Sequence, residues 1–155
     1  MNELNSVREM WIKFIAELSD VDKEALEYEA WHFCSNQKDA DELADLVKAG
    51  TKRATASLME AYQAEGESLP AVGDYSVIIN WAGEAQCIIR TTKVDFVPYG
   101  QVSQAFAATE GEGDGSLAYW RKVHWPIFKR EMEALGKSPN EEMLIVCEEF
   151  EVVYQ

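Results

Sequence analysis

Apolar positions recur at three- and four-residue intervals in NSVREMWIKFIAEL (residues 5–18), where Val7, Met10, Trp11, Phe14, Ile15 and Leu18 form one stripe. That period predicts an amphipathic helix, with Asn5 or Ser6 available to cap its start. The aromatic-rich stretch over residues 27–34 reads as a strand. A second helical stripe, Ala40, Leu43, Ala44, Leu46 and Val47, runs through SNQKDADELADLVKAG, and Gly50 stands where a left-handed C-terminal cap belongs. ASLMEAYQAEG is helix-prone up to Gly66, and LPAVGD is a turn-rich entry to a strand.

The period then changes. YSVIINW and AQCIIRTTKVDFVPY are β-branched runs separated by AGE, which predicts a hairpin with a short glycine-containing turn, and EEMLIVCEEFEVVY predicts a long final strand. Between them, a Gly/acid loop leads into a helix starting near Gly115 or Ser116. Pro126 lies inside that helix, lacks an N–H and crowds the Lys122 carbonyl, so a kink or a break into two helices is expected near His124. Early helices and late hairpin-linked strands predict an α+β fold with a mostly antiparallel, barrel-like sheet.

The 155 residues fit one domain, expected to span 1–155, large enough to enclose a core without disulfides or structural metal. The opening residues lack the apolar middle of a signal peptide and no spanning segment follows, so a cytoplasmic location and no membrane partner are expected. Cys34, Cys87 and Cys147 have no metal-ligand spacing and are read as reduced, small buried hydrophobes. A net charge of −14 excludes a general basic coat for nucleic acid but leaves room for a local basic cleft, to which Lys48, Lys52, Arg53, Arg90, Lys93, Arg121 and Lys122 are the candidates.

Two segments carry candidate chemistry. In G50-TKRATASL, Lys52 can complement the negative end of the preceding helix, clamp an anion, or, if desolvated, accept a proton with Thr55 as nucleophile or hydrogen-bond partner. Residues 52 and 55 point to opposite faces of a regular strand, so a shared site needs a turn or bulge near Arg53, whereas Arg53, Thr55 and Ser57 share a face. In the acidic loop, Glu110, Glu112 and Asp114 alternate with glycines, and an extended chain would aim all three carboxylates one way, able to hold Mg²⁺ or Mn²⁺ or to supply a general acid or base. Asp114 and Ser116 are equally good helix caps. His32 and His124 are the only histidines, and His124 shares a helix face with Trp120 and Arg121 near Pro126. No HExxH, phosphate-binding glycine loop, nucleophile elbow or catalytic-cysteine signature is present.

Taken in order, YEAWHF, ADELADLVKAGTKRATASL, VGDYSVIINWAGEAQCIIRTTKVDFVPY and EGEGDGSLAYWRKVHWPIFKREM resemble the ASCH domain family, a branch of the PUA-like superfamily. The most specific element is G-x-K-x-x-T, here Gly50, Lys52 and Thr55, followed by EGEGD and the Trp120/His124 pair. The resemblance implies a small β-barrel flanked by helices and a role around RNA, nucleotides or modified nucleosides. Members that deacylate N4-acetylcytidine imply Lys52, Thr55 and Glu112 as the catalytic set; others imply a metal-assisted ribonuclease. Gly50, Arg53, Ser57, Trp120, Arg121 and His124 then become substrate-binding candidates, and Glu110, Glu112 and Asp114 candidate metal ligands. The alternative class is a non-catalytic RNA- or nucleotide-binding module.

Overall fold

A computed structural model describes residues 3–19 and 23–155. Its contacts group into two compact units, each discontinuous in sequence: Met1–Thr51 with Gly73–Thr91 and Phe150–Gln155, and Lys52–Val72 with Thr92–Glu149.

In the first unit, helix α1 (Glu3–Ala16) buries Val7, Trp11 and Phe14 with Val77 and Ile88. The aromatic spacing explains the docking: Trp11 lies 4.6 Å from Tyr28 and 5.6 Å from Tyr75, centroid to centroid, and such rings dominate the apolar area that a short helix can bury. Asn5 and Ser6 sit inside the helix rather than at its cap, and the Ser6 hydroxyl accepts a 3.0 Å bond from the Ala85 amide instead. Strand β1 covers only Tyr28–Trp31, shorter than the expected 27–34, before the chain bends towards helix α2 (Gln37–Lys48).

The helical stripe of α2 is buried as its period demands: Ala40, Leu43, Ala44 and Val47 face inward, and Asn36 caps the start by accepting from the Asp39 amide. At the other end Gly50 adopts φ +80°, while its amide reaches the Val47 carbonyl and the Thr51 amide that of Leu46, each at 3.0 Å. This is the paired 5→2 and 6→1 closure that glycine makes cheap at a helix end. Strand β3 (Tyr75–Ile79) pairs in parallel with β1 and antiparallel with β4 (Ala85–Pro98), through the expected tight turn, with a register shift at Ile78/Ile79.

In the second unit, strand β2 (Ala54–Leu58) pairs antiparallel with β5 (Leu144–Tyr154), Ala56 opposite Cys147 and Leu58 opposite Ile145. Period-2 alternation places that face in a core with Trp120, Phe128 and Met132 of helix α5 (Leu117–Ala134). Short helices α3 (Met59–Glu65) and α4 (Gln104–Glu110) complete the unit. Helix α5 does not break at Pro126. Trp120, His124, Phe128 and Met132 are buried on one face, before and after the proline, so packing on both sides carries the helix across the lost amide.

The strands follow the order β1-β3-β4-β5-β2, with β4 and β5 contributing to both units. The α+β class holds, but the sheet is mixed, and among the described residues no ladder closes it into the expected barrel. Its end strands are only four and five residues long, which leaves little backbone to pair.

Candidate functional site

Strand β2 begins at Ala54, so Lys52 precedes it and the alternation that would oppose residues 52 and 55 does not apply. The Arg53 amide donates to the Thr109 carbonyl at 2.9 Å, fastening this segment to the last turn of α4. The location of α4 follows from local sequence: Ser103 caps its start by accepting from the Phe106 amide, and Gly111 at φ +69° ends it, leaving Glu110 as its final residue. The Lys52 ammonium lies among these groups. It donates to the Ala54 carbonyl at 2.8 Å and to Glu112 Oε2 at 3.2 Å, and stands 3.6 Å from Glu110 Oε1.

This lysine is 2% exposed and Glu110 only 1%. Burying charges on that scale is tolerable only when they are paired, and Lys52 is paired twice. His124 stands behind Glu110, with Nε2 3.5 Å from Glu110 Oε2. Its Nδ1 lies 2.8 Å from the Trp120 carbonyl, which can only accept, so Nδ1 carries a proton. The Trp120 and His124 rings stack at 4.4 Å and 17°, fixing the imidazole plane. Burial pushes the Glu110 carboxyl above its usual range, opposed by Lys52 and His124 and reinforced by the neighbouring Glu112. The Trp120 indole N–H beside the carboxyl also holds it down, although neither Trp120 Nε1 nor Glu110 Oε2 has a hydrogen bond of normal geometry among the described residues. Glu112, with its side chain 17% exposed, is the member nearest solvent.

The structure thus brings Lys52, Glu110, Glu112 and His124 together, with Trp120 stacked on His124. Asp114 is exposed and accepts from the Ser116 amide at 2.8 Å, because Gly111 and Gly113, both at positive φ, coil the loop instead of extending it. Thr55 stands in the β2–β5 ladder opposite Glu148, and the Ser57 hydroxyl bonds the Tyr62 hydroxyl at 3.0 Å. Arg53 projects from an exposed position, while Arg121 reaches the Gly100 carbonyl at 3.3 Å. Trp120 is a core residue, 2% exposed.

Three of the candidate cations, Lys52, Arg90 and Lys93, are paired with carboxylates. Lys52 faces two carboxylates, Arg90 faces Glu151, Lys93 faces Asp95 and Glu149, and Lys48 donates to Gln86. Two thiols fit the buried reading: burial pushes Cys87 up to about 11 and, with nearby Glu110, Asp95 and Glu149, Cys147 up to about 12. Cys34 departs from it, being exposed and held at φ +58°. A separate cleft of about 310 Å³ opens beside α4, lined in part by Lys93, Phe106, Thr109, Cys147 and Glu149. Among the described residues no helix is long and apolar enough to cross a membrane.

The ASCH domain family model matches residues 29–154, a span that takes in the G-x-K-x-x-T segment, the acidic turn and helix α5. The chain belongs to the ASCH domain family, whose PUA-like fold is often associated with RNA. It is similar to the ASCH domain from Lactobacillus crispatus JV V101, at 40% identity and a TM-score of 0.92 over 97% of this chain and 96% of that one. It is also similar to protein EF3133 from Enterococcus faecalis V583, of family DUF984, at 35% identity and a TM-score of 0.84 over 97% and 90% of the two chains. No curated protein matches.

Proposed function

We propose that this protein is a hydrolase directed at RNA or a modified nucleoside, with Lys52 and Glu112 as its acid–base pair. The observation that carries the reading is the 3.2 Å contact between the Lys52 ammonium and Glu112 Oε2, with Lys52 buried and the Glu112 side chain 17% exposed. A carboxylate so placed can take a proton from an attacking water or from a nucleophilic hydroxyl such as that of Thr55. The ammonium, held away from bulk water, stabilises negative charge that builds on an acyl or phosphoryl oxygen. In the amide version the C–O bond forms, the C–N bond of an N4-acylated cytidine breaks and the departing nitrogen takes the proton. In the ribonuclease version the same groups serve a phosphodiester. ASCH membership supports the substrate class, and the strongly acidic exterior favours a small substrate or a short single strand over a long polyanion.

The test is to incubate wild type, Lys52→Gln and Glu112→Gln with N4-acetylcytidine and with end-labelled single-stranded RNA, with and without divalent cations, and to separate the products. Turnover of either substrate by wild type, reduced at least 100-fold in both variants, is expected. No product from either substrate overturns the reading, and saturable binding without product replaces it with the RNA- or nucleotide-binding module.

A further inference from the structure

We propose that Glu110, Glu112 and His124 form a binding site for a borderline divalent cation such as Zn²⁺. This inference deepens the hydrolase reading, whose centre it shares, and exchanges the acidic-loop ligand Asp114 for an imidazole. Each of the three residues presents one ligand atom, and all three atoms lie within 4.8 Å of one another. They come from three places fixed independently: the last turn of α4, the capped turn after it, and the buried face of α5.

The second observation is an orphaned oxygen. Glu110 Oε2 is fully buried, meets no donor at normal hydrogen-bond geometry among the described residues, has the Trp120 indole N–H beside the carboxyl, and lies 3.5 Å from His124 Nε2. With Nδ1 donating to the Trp120 carbonyl, Nε2 is the ring nitrogen left to meet Glu110 or a bound cation. The 3.5 Å gap between Oε2 and Nε2 is one that either a proton on Nε2 or a cation held between the two atoms can bridge. Bonds of about 2.0–2.2 Å from one ion to N and O, meeting at a near-tetrahedral angle, span about 3.3–3.6 Å, which matches the gap.

Electrostatics agree. With the imidazole neutral, two carboxylates against one ammonium leave the cluster one negative charge in excess, a charge that a proton on His124 or a bound cation compensates. Lys52 contacts Glu110 through Oε1, leaving Oε2 to a cation, so ammonium and metal can share the carboxylate. The Trp120 carbonyl behind Nδ1 is the kind of outer partner that holds a ligating histidine in one tautomer. A nitrogen ligand among oxygens favours Zn²⁺ over Mg²⁺ and Mn²⁺, whose preference is for oxygen.

The experiment is calorimetric titration of the metal-free full chain with ZnCl₂, in a Cys34→Ser background that removes the exposed thiol as a competing ligand. One ion per chain is expected, bound at least tenfold more weakly by Glu110→Gln and by His124→Gln and unchanged in Asp114→Asn. Because the substituted residues are buried, the same question is put to the Cys34→Ser chain itself by ¹⁵N-imidazole NMR, readable because the chain has two histidines. Zn²⁺ must shift His124 Nε2 and leave His32 in place. Absence of saturable binding, undiminished binding in both ligand variants, or an unmoved His124 resonance overturns the site. Zn²⁺ bound at His124 without hydrolysis of either substrate upholds the site and overturns the hydrolase; hydrolysis indifferent to EDTA with no bound ion does the reverse.

Discussion

Replacing Lys52 by methionine keeps the length of the side chain and deletes its charge. The ammonium lies 3.2 Å from one carboxylate and 3.6 Å from another, in a pocket where Lys52 itself is 2% exposed. Were Lys52 simply a cation complementing a helix end at the surface, its loss would cost about 0.3–1 kcal/mol. Breaking a buried pair by removing one partner costs about 3–5 kcal/mol, because the remaining charge is left desolvated. Glu110 can relieve part of that cost by taking a proton, a change that burial already favours, so the expected loss is about 3 kcal/mol. Urea titrations at pH 7 followed by circular dichroism measure it as a lower midpoint at unchanged slope. Adding Glu110→Gln to Lys52→Met removes the stranded charge and should recover about 1–2 kcal/mol, whereas the two changes would add if the residues were uncoupled. A loss below about 1 kcal/mol, or simple additivity in the double variant, refutes the account of Lys52 as a buried ion-pair centre.

Thiol reactivity should divide sharply: Cys34, exposed, reacts with iodoacetamide within minutes at pH 8, and Cys87 and Cys147 react only after unfolding, as mass spectrometry of the native and urea-treated chains would show. Both buried thiols ionise later in the fold than their ordinary value of 9.0, at about 11 and about 12, so stability is fully present below pH 9 and falls as pH rises through that window. Cys147→Ala should flatten the alkaline limb of a plot of melting temperature against pH. Gly50→Ala meets no steric obstacle but places a Cβ at φ +80°, and should cost about 1–2 kcal/mol in a denaturant titration. Pro126→Ala returns an amide to an unbroken helix at an exposed position and should raise the melting temperature, by an amount equivalent to about 1–3 kcal/mol.

The sequence readings that succeeded rested on repetition or on a single constrained residue. The stripes of α1 and α2, the hairpin and the Gly50 cap are all legible because 3.6- and 2-residue periods and a left-handed backbone leave direct marks. Lys52 and Glu112 were both singled out, and they meet. What escaped was α4: residues 101–108 fall in no predicted element, although Ser103, Phe106, Ala107, Glu110 and Gly111 spell a capped helix of about two turns. With α4 unread, Glu110, Glu112 and Asp114 looked like an extended row. The real chain coils after Glu110, and a histidine fourteen residues further on takes the place expected of Asp114. No periodicity within the loop could announce that partner, because helix packing rather than local sequence brings it there.

The division of the chain also bears on the order in which the molecule is made. The first unit needs Phe150, which is 4% exposed in a core otherwise drawn from residues 33–89. The second unit is complete only with Glu149. A nascent chain paused anywhere before residue 144 therefore holds α1 and α2 with their apolar faces partly uncovered and lacks all of β5. Without β5 the Leu43, Ala44 and Val47 face of α2 lacks Phe150, and that incomplete core is the surface a chaperone would meet.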